Sequence, residues 1–412
     1  MKWFYMFFGF FILVSCQEEK PVVVTIEFKT DYLFNAEIEE KIASDTTKNE
    51  HFTGFKYQMA ATDYATSGSY KEALIAWDSA MTPKVSTYTD FQIDSINNSY
   101  EKVNASNYIV EKSKKHQIVI INEAHHNAMH RSFTKSLLQE LYDTGFRNLG
   151  LEALGNGAYL DDGLNSRKYP IQDTGFYIKD PQFGNLVRTA LELGYYIFPY
   201  ESGPSKNGKE REIEQAKNIT KVLDSVVEGK TLIHCGFAHV LEGEYSYNSW
   251  GKTMAGRLAE YTGLDPFTIN QVQFSEKSNP AYNHRFLKAL KVREPSVLID
   301  ENKSPYKYKR DQSWADIAVF HPNTKYLAGR PNWLFQNGNK KVMVAIKDMH
   351  LTFPVLVMAF KDGEDIQQAV PLDMVEVNGA GQEVVLGLKS GRYVIVVTNK
   401  KGDARKFELK VD

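Results

Sequence analysis

The chain has 412 residues, a formal net charge of -2 and a sequence pI near 6.6, which makes it too long for one ordinary hydrophobic core and gives it no basic excess for nucleic acid. Hydrophobic residues make up 42% and charged residues 24%, a globular balance. The two cysteines, Cys16 and Cys235, lie in very different settings, so a framework of structural disulfides is excluded.

Residues 1–16 read as a targeting device. Lys2 precedes an apolar run over 3–14 that is too short for a comfortable membrane span, and Leu13-Val14-Ser15-Cys16 resembles a bacterial lipoprotein signal box. That resemblance implies lipidation of Cys16. The folded part would then sit outside the cytoplasm in the cell envelope, at the outer membrane, held by its lipid and not spanning the bilayer. Gln17-Glu18-Glu19-Lys20 resembles the acidic start of a lipoprotein tether. Residues 17–54 are polar without a sustained period and read as tether and extended lead-in. Residues 55–115 turn helical, and the stretch 64–74 (YATSGSYKEAL) resembles the middle of a tetratricopeptide repeat, whose small residues let two helices approach closely. One copy cannot stack into a solenoid, so a helical prelude packed on the main domain is expected.

Residues 116–337 alternate between strand and helix patterns. The apolar run 117–121 predicts a buried strand that stops at Asn122, Glu123, His125 and His126, groups that are costly to bury without partners. A helix follows, with Asn127 as its cap and Met129, Phe133, Leu137 and Leu141 facing inward. Strands are predicted at 148–151, ending on Glu152; at 195–200, ending at Glu201; at 231–234, before Cys235-Gly236-Phe237-Ala238-His239; at 267–274; and at 315–320. Helices are predicted at 185–193, at 210–227 with Ile213, Ala216, Thr220, Leu223 and Val227 inward, and at 253–261. The long connection 155–184, rich in Gly, Asp, Asn and Tyr, is placed to act as a lid. The fold class is therefore α/β, a mostly parallel sheet covered by helices on both faces. Residues 341–412 change to short alternating strands and predict a small C-terminal antiparallel β-sandwich with no ionisable cluster.

Open parallel sheets bind ligands beyond the carboxyl ends of their strands. Here those ends carry Glu123 with His125 and His126, then Glu152, then Glu201, then His239, and parallel topology brings them to one rim. The residue types suit a site that activates water, an imidazole taking the proton and carboxylates orienting it. Arg211, in the first turn of its helix, is a candidate donor to a developing oxyanion, and His239 could protonate the leaving group. His234 points the other way along its strand and reads as structural. The sequence contains no G-x-S-x-G, H-E-x-x-H or phosphate-cradling G-x-x-x-x-G-K-[ST] motif. Cys235 reads as a buried strand residue. His125, His126, His130, His239 and the glutamates include ligand types adequate for zinc or manganese, though their spacing matches no common site, so the metal stays unknown.

Asn122-Glu123-Ala124-His125-His126, the helix after it and Gly145-Phe146-Arg147-Asn148-Leu149-Gly150-Leu151-Glu152-Ala153 resemble the opening of the erythromycin esterase family. The stretch 208–219 (GKEREIEQAKNI) is similar to that family's arginine-acid helix, Gly236-Phe237-Ala238-His239 to its later histidine loop, and Met254-Ala255-Gly256-Arg257-Leu258 with Gly263 also match. The resemblance spans about 117–333. It implies that His126 is the general base, with Glu123, Glu152 and His239 around the same water. Arg211 completes the expected catalytic set, and His125, His130, Glu201 and Tyr200 are expected to bind ligand. The wider superfamily includes haem-binding lipoproteins and Tiki-type metalloproteases. Asn122 stands where the family has glycine, Glu123-Ala124-His125 also fits the E-x-H of the haem-binding branch, and the tandem histidines leave open which ring is active. The expectation is an envelope-anchored hydrolase that cleaves an ester or related acyl bond of a small-molecule substrate, its cofactor left open between none, a divalent metal and haem. The alternatives are a haem- or metal-binding lipoprotein and a non-catalytic scaffold.

Overall fold

The computed structural model describes residues 21–412 apart from 46–49, 82–83, 226–227 and 348. The signal box, Cys16 and the acidic residues after it lie outside the described residues, as does Val227. Among the described residues no helix is long and apolar enough to cross a membrane.

Six strands form one all-parallel sheet: β1 (Ile118–Glu123), β2 (Phe146–Leu151), β3 (Tyr196–Pro199), β4 (Lys230–Gly236), β5 (Phe267–Asn270) and β6 (Ile317–Ala318), in the order β6-β5-β1-β4-β2-β3. The unbroken apolar run of β1 has a direct cause. Ile118 and Ile120 enter one helical layer while Val119 and Ile121 enter the other, so both faces are dry and no polar alternation is tolerated. Each such side chain contributes about 2 kcal/mol of burial. The helices α1 (Ala128–Asp143) and α2 (Pro181–Leu193) cover one face, and α3 (Gly208–Ser225) and α4 (Met254–Thr262) the other.

Local chemistry sets the helix starts. Asn127 accepts from the Met129 N–H at 3.2 Å to open α1. The Asp180 carboxylate accepts from the Gln182 and Phe183 N–H groups at 2.7 and 2.9 Å, with Pro181 at the first helical position, so α2 begins before residue 185. Its start interrupts the long connection, which is itself folded into short helical turns, Gly157–Tyr159, Leu164–Arg167, Gln172–Thr174 and Tyr177–Lys179. Asp161 ties Arg167 to Thr174, and Asn165 exchanges two hydrogen bonds with Ile197 of β3. Along α3 the buried positions are Glu212, Gln215, Ala216 and Ile219. Ile213, Thr220 and Leu223, expected inward, are only partly buried, because the helix is rotated to carry a carboxylate into the site.

Ahead of the sheet, the helices Glu50–Thr66 and Tyr70–Met81 pack through Ala60, Ala61, Ala65, Ala73 and Ala76. Behind it lies a five-stranded antiparallel sheet in the order Val24–Glu27, Asp403–Val411, Gly391–Asn399, Val355–Lys361, Asp373–Val377. One face packs on the strand pair Lys340–Met343 and Val385–Leu388, and the other is covered by Phe28, Tyr32 and Phe34. The span 17–54, read from sequence as tether and extended lead-in, is therefore structured in its described part: Val24–Glu27 is the edge strand of the C-terminal module and Asn35–Ser44 is a helix, because each has apolar surface to cover. That module docks on α2 through Arg188 and Glu364 at 2.7 Å and through the Asn185 amide to the Leu372 carbonyl at 2.7 Å.

Candidate active site

The three central strands finish side by side. β1 ends on Glu123, β4 ends on Gly236 in register with it, and Glu152 follows β2 on the other flank of β4. The Gly236 N–H donates to Glu152 Oε2, and the space above this glycine holds the His125 ring. A Cβ at Gly236 would stand 2.5 Å from His125 Cε1, 2.9 Å from its Nε2 and 3.3 Å from Glu152 Oε2. Only a glycine leaves room for an imidazole between the two carboxylates.

His125 is fixed on three sides. Nδ1 lies 3.0 Å from Glu123 Oε1, Tyr177 stacks on the ring at 3.9 Å between centroids, and Phe237 meets it edge-on at 4.9 Å. Burial alone would raise the pKa of Glu123, but the Arg131 guanidinium and the hydrogen bonds from Arg131 and His125 outweigh burial and hold the carboxyl well below the usual range. An ionised carboxylate only accepts, so Nδ1 carries a proton toward Glu123, and Nε2 is the nitrogen left without a hydrogen bond among the described residues. Arg131, fully buried, donates to Glu123 through Nε at 2.5 Å and Nη2 at 2.8 Å, and Nη2 also reaches the His125 carbonyl at 2.9 Å. Its Nη1 lies 3.4 Å from Asp180, whose carboxyl is pushed up to about 6 by burial against the pull of Arg131.

A second cluster centres on Arg211. Its Nε donates to Glu201 at 3.0 Å, its Nη2 to Glu152 at 2.6 Å and to Glu201, and its Nη1 to His239 Nε2 at 3.0 Å. Of the five guanidinium N–H donors this uses four, which leaves one Nη1–H. His239 accepts at Nε2, so its proton lies on Nδ1 and is donated to Glu212 at 2.9 Å. Burial would lower the pKa of His239, yet Glu152 and Glu212 together raise it. Glu152 is pulled down to about 2: burial opposes ionisation, and His239, Arg211, His125 and the Gly236 amide overcome it.

A cleft of about 590 Å³ opens over these groups, lined by His125, Glu152, Glu201 and Arg211 on the sheet side and by Tyr159, Phe176 and Tyr177 of the long connection. Of the residues expected at the site, Glu123, His125, Glu152, Glu201, Arg211 and His239 are brought together here. Three others are elsewhere. His126 turns away from the cleft and stacks on Trp77 of the N-terminal helices at 4.0 Å, with Nδ1 buried and without a hydrogen bond; burial, then His130, holds its pKa well below the ordinary value. His130 is spent on structure, accepting from the Ala124 N–H at 3.1 Å and meeting Ser275 Oγ at 3.1 Å. Tyr200 is fully buried and donates to the His234 carbonyl at 2.9 Å. His234 is buried with Nε2 unbonded, and Cys235 Sγ faces the Ile121 carbonyl at 3.7 Å. Among the described residues no group of three or more His, Cys, Asp or Glu side chains is arranged to hold a metal ion.

No protein-family model matches the sequence, and no curated protein matches it. Three solved structures are similar in fold at low scores. The type III effector HopBA1 gives a TM-score of 0.32 at 11% identity, over 45% of this chain and 95% of its own. A structure described as bacterial protein toxins gives 0.32 at 12% identity, over 57% of this chain and 53% of its own. RRSP, a MARTX toxin effector domain from Vibrio vulnificus CMCP6, gives 0.31 at 12% identity, over 60% of this chain and 48% of its own.

Sequence reasoning missed Arg131, Asp180, Glu212 and Tyr177. Two of these carried a readable signal. Arg131 shares a helical face with Thr134 and Leu138, and Glu212 shares one with Ala216 and Ile219, so each is a charge inside an apolar stripe. Asp180 and Tyr177 sit in the irregular connection, where no periodicity points inward.

Proposed function

We propose that this chain is a hydrolase of the erythromycin esterase type, anchored to the bacterial envelope through lipid on Cys16, and that it cleaves an ester or related acyl bond with His125 as general base. The observation that carries this reading is the setting of the His125 ring: Nδ1–H is held by the buried Glu123 carboxylate, which leaves Nε2 as the nitrogen available to water, at a cleft that also presents Arg211. The base therefore moves one residue from His126. In the proposed step His125 Nε2 takes a proton from water as the water oxygen bonds to the acyl carbon. The carbonyl pair becomes an oxyanion, which the remaining Arg211 Nη1–H stabilises, and Glu123 stabilises the imidazolium. The proton then passes from His125 to the departing alkoxide, giving an alcohol and a carboxylic acid.

The test is a panel of aryl, alkyl and lactone esters assayed with His125→Ala and His126→Ala. Loss of the base costs about 10²- to 10⁴-fold in kcat, and only the His125 variant should show it. Wild-type turnover in His125→Ala would remove the reading. Retention of labelled palmitate by the wild type and its loss in Cys16→Ser checks the anchor separately.

One observation also favours a second reading, haem binding. A histidine whose Nδ1 is held by a carboxylate has the orientation of a metal-ligating imidazole, and Tyr159, Phe176 and Tyr177 give the cleft an aromatic wall. Haemin titration should then produce a Soret band that shifts in His125→Ala; an unchanged spectrum eliminates it.

A further inference from the structure

A second cavity of about 270 Å³ opens where α1 and α2 meet the C-terminal module, and it shares no lining residue with the cleft. Its walls carry five cationic side chains, Lys135, Arg188, Lys361, Lys389 and Arg392, against one carboxylate, Glu192. Arg188 pairs with Glu364 and Lys361 with Glu192. Lys135, Lys389 and Arg392 have no carboxylate at ion-pair distance among the described residues.

Lys135 is the unusual member. It lies one turn beyond Arg131 on α1 and is only 9% exposed, yet its ammonium has no hydrogen-bond or ion-pair partner among the described residues. Asp373, the acid nearest in influence, is already committed to Arg330 and to the Gly387 and Met374 N–H groups. Burial, with Lys389 adding and Asp373 opposing, lowers the Lys135 pKa to about 8. Beside it the Arg188 Nη1 is also buried without a hydrogen bond. An unpaired donor on a side chain this desolvated is costly unless something accepts from it, and the cavity that Lys135 and Arg188 both line is open to solvent-borne ligands on the side of Lys389 and Arg392, both exposed.

We propose that this pocket binds a small oxyanion of the phosphate class, with Lys135 at its floor and Lys389 and Arg392 at its rim. The volume accepts one phosphate with a small substituent and falls short of a nucleotide.

The experiment uses the full chain at constant ionic strength, with chloride as the control anion and inorganic phosphate as the probe, read by calorimetric titration and by thermal unfolding. Phosphate should bind with a Kd of about 1 mM or tighter and raise Tm as the law of mass action requires. Lys135→Met should weaken binding about 10-fold or more and, without phosphate, should raise Tm, because an unpaired buried charge has been removed; a lysine with a purely structural role would lower it. Lys389→Ala and Arg392→Ala, on the surface, should each weaken binding several-fold at unchanged Tm, and their double variant carries the test if Lys135→Met does not fold. No phosphate binding at about 10 mM, a strength typical of no specific site, or equal binding by the wild type and these variants, overturns the proposal. Glycerol phosphate and phosphatidylglycerol vesicles then separate the sources. Binding of the soluble compound alone assigns a metabolite, and co-sedimentation that depends on Lys135 and Arg392 assigns a lipid headgroup.

Discussion

At the scale of single residues the site depends on a side chain that is missing. Gly236 lies between Glu123 and Glu152 in the sheet, and the His125 ring fills the volume a Cβ would need. Gly236→Ala should therefore displace the imidazole rather than unfold the strand, with a stability loss of about 1–3 kcal/mol but a fall in kcat of at least about 10-fold. Denaturant titration beside ester turnover checks this, and a variant that is less stable but fully active would show the glycine to be a packing residue only. Glu152 supports a second expectation. Its folded pKa is near 2, below the 4.5 of a free glutamate side chain, so its ionised form favours the folded state. That contribution is complete above about pH 4.5 and fades as pH falls toward 2. Unfolding free energy measured across this window should drop more steeply for the wild type than for Glu152→Gln; parallel curves would mean that the Arg211 cluster does not hold the carboxylate. The strand-end carboxylates and His239 were legible in the sequence because an abrupt charge after an apolar strand has few explanations. The choice between His125 and His126 was not. Adjacent residues leave a strand end in different directions, and only the Trp77 stack shows which ring is taken by packing.

At the scale of elements, one wall of the cleft is built by a part of the chain with no chemistry of its own. The connection that carries Phe176 and Tyr177 is pinned to the C-terminal module, where the Gln172 N–H donates to the Gln368 carbonyl at 2.8 Å and Tyr32 donates to the Lys179 carbonyl at 2.9 Å. The module in turn is clamped to α2 by Arg188 and Glu364, both nearly fully buried. Arg188→Met leaves Glu364 buried and unpaired and should cost about 3–5 kcal/mol, whereas Arg188→Met with Glu364→Gln should recover most of that loss. Both are read by denaturant unfolding, and equal losses in the single and double variants would rule out the pair as the clamp. Elements with a strong period, such as α1 and the sheet strands, were legible from sequence. The connection was not, because turns held by Asp161, Arg167 and Thr174 depend on side-chain partners that no hydrophobic pattern encodes. The rotation of α3 escaped for a related reason: a carboxylate that belongs to the site outranks Ile213 for the inward position.

At the scale of the whole molecule, the two ends of the described chain close on each other. Val24–Glu27 pairs antiparallel with Asp403–Val411, from Val24 opposite Lys406 to Glu27 opposite Asp403, and Phe28, Tyr32 and Phe34 cover the outer face of the same sheet. This closure explains why Val355–Lys361 reads as an apolar run, VLVMAFK, with no alternation: both of its faces are dry. The α/β fold class was legible in the sequence; the pairing of one end with the other was not, since a four-residue strand at long separation has no local signature. The consequence concerns independence. Removing residues 341–412 takes away the partner of the first strand, the cover over Phe28, Tyr32 and Phe34, and the surface that holds the connection carrying Phe176 and Tyr177, so the remaining chain should lose cooperative unfolding and expose apolar surface. Dye binding and a broadened thermal transition are the expected readouts. If the truncated chain instead melts sharply at the temperature of the full chain, the C-terminal module is an appendage, and the cleft wall must be held by the α/β layers alone.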